Sequence, residues 1–146
     1  MQETKVTLIY FGLLLFVFLS FVPWVVNREL ALLLIQVLAV YGAVILAFLS
    51  GFVWGWDDGS INNSNLWFAI GFSLMGFCVV LLSINALEIS LILLIVSFQG
   101  FLSFEKNTSK YFKNNNKYAE ARKLITNLVT ICCITSIAFI YNPTYK

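Results

Sequence analysis

Few residues in this chain can do chemistry, and their placement narrows what that chemistry could be. Asp57 and Asp58 are adjacent, in a polar stretch from Asp57 to Asn65 that also holds Gly59 and three asparagines. Paired carboxylates can hold a divalent cation against a phosphate. Adjacent acids in an asparagine-rich loop are more simply solvated. The other acids singled out, Glu29, Glu88 and Glu105, fall at the ends of apolar runs, and no ionisable residue lies near the middle of one. Proton and ion pathways need such groups inside the membrane. The chain has no His, which excludes imidazole ligation of haem and HExxH zinc chemistry. Cys78, Cys132 and Cys133 all lie in apolar runs with no CxxC, the pattern of buried thiols rather than of a disulfide or zinc site. No nucleophile-elbow sequence occurs. The expectation is no catalytic residue, no cofactor and no metal.

The elements that would position these residues are transmembrane. Of 146 residues, 60% are hydrophobic and 11% charged, where soluble domains run nearer about 25% charged. Roughly 20 apolar residues as helix cross a bilayer core, and five continuous runs fit. They cover about 6–26, 30–56, 66–83, 87–104 and 124–141, in a single domain over 1–146. The predicted fold is an all-α integral membrane bundle of five transmembrane helices. No cleavable targeting segment is expected, because the first run lacks a small-residue exit. Asn27-Arg28-Glu29 separates the first two spans. Asn85 and Glu88 have the spacing of a capping box opening the fourth.

Charge sets the expected orientation. Residues 105–123 carry Lys106, Lys110, Lys113, Lys117, Arg122 and Lys123, read as a basic cytoplasmic loop whose second half leads helically into the last span. With Lys5, that side holds seven of the nine Lys and Arg, so the N-terminus is expected inside and the C-terminus outside. Trp24, Trp54, Trp56 and Trp67 sit at span ends, as an interfacial belt requires. On this topology the sequons at Asn62 and Asn107 are chance matches. The basic loop attracts anionic lipid headgroups, and a nucleic-acid partner is not expected.

Two constellations concern helix contact. In the second span, Ala39, Ala43, Ala47, Gly51 and Gly55 recur every fourth residue, with Gly42 and Ser50 beside them. Small rows let helix backbones approach in lipid, so the row is expected to pack on protein. Near the last span, Tyr118, Arg122 and Thr126 share one helical side. Glu105, Asp57 and Asp58 are expected at the same headgroup depth, so Arg122 is expected to tie two spans through a carboxylate. A planar guanidinium can do so bidentately. In partial water the tie would be worth on the order of 1 kcal/mol. The alternative is that Arg122 meets lipid phosphate.

The stretch "YGAVILAFLSGFVWG" over 41–55 resembles a motif of the transmembrane protein 69-like family of small bacterial inner-membrane and mitochondrial proteins. The family pattern is roughly Tyr-x-Ala-x-Ile-Leu-Ser-Phe-Leu-Gly-x-x-x-Trp-Gly. Tyr41, Ala43, Ile45, Leu46, Phe48, Leu49, Trp54 and Gly55 match it. Tyr118, Arg122 and Thr126 resemble the family's lead into its last span, and Glu105 resembles an acid ending the span before. Val53 stands where the family often has His, and Leu15 follows Gly12-Leu13-Leu14 where it often has Pro. The resemblance implies five spans and no particular activity.

Three functions compete. The first is a non-catalytic accessory or assembly subunit of a larger inner-membrane complex, surrounded by membrane lipids and bound to other membrane-protein subunits. It fits the small loops and the small-residue row. The second is a carrier or binder of an apolar molecule such as a lipid or quinone, with a cleft near Gln36, Tyr41 and Gln99. The third is a membrane-face enzyme using Asp57-Asp58 with Arg122.

Overall fold

The structure is a computed structural model that describes residues 2–54 and 63–141. Those residues form helices and short joints, with no strand among them. The elements are α1 (Gln2–Phe21), a 3-10 turn (Val22–Trp24), α2 (Arg28–Trp54), α3 (Asn63–Asn85), α4 (Leu87–Thr108), α5 (Lys110–Asn114) and α6 (Asn116–Ile140). Five helices are long and apolar enough to cross a membrane: the four from α1 to α4, and α6. The chain is a multi-pass, all-α membrane protein. In lipid every backbone polar group must be satisfied within its own segment, which leaves a continuous apolar run no alternative but helix.

Local chemistry explains the breaks. Pro23 has no N–H to donate and sits buried in the 3-10 turn that ends α1. Asn27 Oδ1 then accepts from Leu30 N at 2.9 Å, capping the start of α2. Between α3 and α4 one residue suffices. Ala86 takes φ −140° and ψ 71°, and the hairpin is pinned where Ser90 Oγ donates to Val79 O at 2.6 Å. This corrects the expected capping box. Asn85 is still the last residue of α3, and the N-cap of α4 is Ala86, with no side-chain cap bond. A joint this short leaves no room for a separate cap residue.

The expected basic loop is corrected in its first half, while its second half is helical as expected. α4 runs on to Thr108 and α6 begins at Asn116, so within 105–123 only Ser109 and Asn115 lie between helices. Ser109 Oγ accepts from Phe112 N at 3.3 Å and starts α5.

The five long helices close into a ring in chain order. α2 packs on α3, α3 on α4, α4 on α6, and α6 returns to α1, which meets α2; α2 and α4 also touch across the middle. Phe16 of α1 marks the centre, its ring 4.9 Å from Tyr41 of α2 and 6.1 Å edge-on to Phe98 of α4. Leu38, Leu46, Leu94 and Phe101 are fully buried around it. The outside is as apolar as the inside: Phe11, Leu14, Phe48, Trp67 and Phe77 are all more than half exposed. A water-soluble bundle could not present that surface. A lipid-facing one must.

Candidate functional site: a buried ion pair between α4 and α6

Glu105 lies on the last turn of α4, where its carbonyl accepts from Ser109 N at 2.8 Å. Arg122 lies on the second turn of α6. The structure joins them: Arg122 Nε donates to Glu105 Oε1 at 3.1 Å. The other carboxylate oxygen, Oε2, accepts from Tyr118 OH at 3.4 Å. Tyr118 and Arg122 are one turn apart, so a single face of α6 delivers both donors.

The environment differs from the one expected at headgroup depth. The two side chains are only 3% and 4% exposed, so the pair is closed off rather than partly wet. α5 packs beside it through Tyr118. Its Phe112 is buried and sits edge-on to Tyr118, ring centres 6.2 Å apart. Lys123 Nζ lies 6.0 Å over the same ring. The tie is also single rather than a bidentate fork, because Nε alone reaches the carboxylate. Arg122 Nη2 and Thr126 Oγ1 are buried without a partner among the described residues. Asp57 and Asp58 lie outside the described residues. A buried pair of this kind responds strongly to loss of one partner, by about 3–5 kcal/mol, because the survivor is an uncompensated charge.

The small-residue row divides. Ala39 and Ala43 are buried, Ala47 and Gly51 are exposed, and Gly55 lies outside the described residues. The expectation that the whole row packs on protein is corrected at Gly51, where an added Cβ would meet nothing within 4 Å. The reason is geometric. Four residues turn a helix by about 400°, so each step drifts about 40° and a five-membered row must leave the seam. The close approach falls elsewhere. A Cβ on Gly76 of α3 would come 3.1 Å from Ala43 O. One on Gly42 would collide with the Leu94 side chain of α4.

The motif residues around this row take several roles. Tyr41 OH donates to Gly12 O at 3.2 Å, tying α2 to α1. Leu49 is buried, Phe48 faces outward, and Trp54 is the last residue of α2. Of the residues proposed to line a cleft, Tyr41 serves the α1–α2 seam and Gln99 a different one. Gln99 Nε2 donates to Thr130 Oγ1 at 2.9 Å and to Asn127 Oδ1 at 3.5 Å, joining α4 to α6. Sequence reading missed Thr130 and Phe112 as partners. Their signal was weak, since a threonine and a phenylalanine draw no notice in so apolar a chain.

Among the described residues no group of three His, Cys, Asp or Glu could hold a metal ion. The arrangement therefore offers a closed ion pair with two unused polar atoms. No curated protein and no solved structure matches this chain. A family model described as a protein of unknown function does match, over residues 1–138 of the 146, and the chain belongs to that family, DUF3429.

Proposed function

We propose that the chain is a non-catalytic accessory or assembly subunit of a larger complex in the bacterial inner membrane, with its N-terminus in the cytoplasm. One observation carries this reading, the shallow groove between α2 and α3. It measures about 210 Å³, with Ala47, Ser50, Gly51, Ala69 and Ser73 along it and the larger Ile70 and Leu74 beside them. Small side chains on two neighbouring helices let a further helix approach to backbone contact, which is how helices associate in lipid. The polar side chains within the spans support the same reading, because Tyr41, Ser90 and Gln99 bind this chain's own helices together. The exposed lysines 106, 110, 113, 117 and 123 fit the headgroups of an anionic cytoplasmic leaflet.

Native mass in mild detergent tests the proposal. Extracted from its own membrane, the protein should run above the 16.5 kDa monomer. Gly51→Leu should return it to that mass without unfolding it. A wild-type monomer under these conditions overturns the reading. Orientation has a separate test: reporters fused after Asn63 and Lys117 should both report the cytoplasm, and one after Lys146 the opposite side.

The second reading, binding of a lipid or quinone, has one observation in its favour: the unpartnered polar atoms beside Glu105, which a carbonyl oxygen of such a molecule would satisfy.

A further inference from the structure

Several buried hydroxyls in this bundle donate to a backbone carbonyl, and Thr126 does not. Ser50, Ser97 and Ser136 each donate to the carbonyl four residues earlier, at 2.9, 2.7 and 3.0 Å. Thr130 does the same toward Thr126 O at 2.9 Å. A helical hydroxyl has such a carbonyl within reach, so it need not go unpartnered. Thr126 is fully buried, yet its Oγ1 has no partner among the described residues. One turn away on the same face of α6, Arg122 Nη2 is buried and unpartnered too, although Nε of the same guanidinium is held by Glu105. Buried polar groups left unmade are costly. Two on one face, beside an ion pair, look toward a common acceptor.

We propose that Arg122 Nη2 and Thr126 Oγ1 bind one neutral oxygen acceptor, supplied by an internal water or by the ester carbonyl of a membrane lipid. A guanidinium can only donate, so whatever meets Nη2 must accept. Charge decides the class. Glu105 already balances Arg122, and a phosphate or carboxylate would leave an excess buried negative charge. Neutral oxygen adds none. Burial points the same way: Glu105, Arg122 and Thr126 are all nearly inaccessible, so the acceptor meets them as a single oxygen atom. Glu105 Oε2, engaged by the long 3.4 Å bond from Tyr118, keeps lone-pair capacity for a hydrogen that a bound water would donate. This inference stands apart from the accessory reading, since its test does not involve association.

Thr126→Val keeps the shape of the side chain and removes the hydroxyl. If Oγ1 were simply unpartnered, the change would leave stability equal or higher. If it holds a shared oxygen, the thermal midpoint of the full chain in phosphatidylethanolamine/phosphatidylglycerol nanodiscs should fall by about 2–4 °C. Thr126→Ser, which keeps the hydroxyl, should fall less. The same comparison in delipidated detergent identifies the source: a fall there too assigns the oxygen to water, and a fall confined to nanodiscs assigns it to lipid. No fall in nanodiscs overturns the proposal. In an Arg122→Lys background, which lacks Nη2, the Thr126→Val effect should vanish, and an undiminished effect overturns the shared acceptor. Should Arg122→Lys not fold, an experimental density map of the wild type serves instead. One oxygen within about 3.2 Å of both atoms supports the site. Protein partners on either atom, or no density between them, refute it.

Discussion

At the Glu105 end of the bundle, α4 and α6 are joined by named partners. Arg122 reaches Glu105 at 3.1 Å, Tyr118 adds a second donor, and Phe112 packs edge-on to Tyr118. Along the α2–α3 seam the close contact depends instead on what is missing: Gly76 has no side chain, so its backbone lies against Ala43 O. A carboxylate and a guanidinium demand one another once buried, and losing either leaves a charge behind. Glycine and alanine demand nothing. They permit approach, so the same residue types lie in the seam at Ala43 and face outward at Gly51. Polar side chains in lipid therefore report where a helix must face, and small ones only where it can.

That contrast can be broken most sharply at the ion pair. Arg122→Leu or Glu105→Leu alone should cost about 3–5 kcal/mol in reversible unfolding, and the double variant should recover much of it. Single losses below about 1 kcal/mol, or a double variant no better than the singles, would return the pair to the strength of an exposed one. Gly76→Leu comes next, at about 1–3 kcal/mol, because Ala43 O is backbone and cannot step aside. A thermal midpoint equal to wild type would remove the close approach from the seam. Gln99→Leu removes the bond to Thr130 across α4 and α6, where intramembrane hydrogen bonds average about 0.6 kcal/mol. Comparing it with Thr130→Val and the double variant in a cycle would show whether that bond is coupled at all. Smallest is Gly51→Leu, expected within about 0.5 kcal/mol for the monomer, since its Cβ meets open space. A large loss there would show that the row packs within the monomer after all.

Legibility followed the same division. Glu105, Arg122 and Tyr118 could be picked out because Glu105 ends one apolar run while Tyr118 and Arg122 share one helical side leading into the next, and the structure holds them together. The packing of Phe112 on Tyr118 could not be read, because the segment looked like a loop and α5 is only five residues long. The capping box misled because Asn85 and Glu88 have the right spacing, while the helix before them runs two residues past the expected end at 83 and takes in Asn85 itself.

Sequence alone determined that this chain has five membrane-crossing helices, because apolar length and the positions of charge are properties of each segment by itself. It also determined that no imidazole chemistry is available, since the chain contains no histidine. Which face of each helix turns inward was decided only by the tertiary structure. In water, an amphipathic stripe marks the inner face. Here Leu46 is buried and Leu14 is 64% exposed, with the same side chain, because lipid is as apolar as the core and rewards neither placement over the other. Packing shape and a few buried polar partners break that degeneracy, and both are relations between helices rather than properties of any one of them.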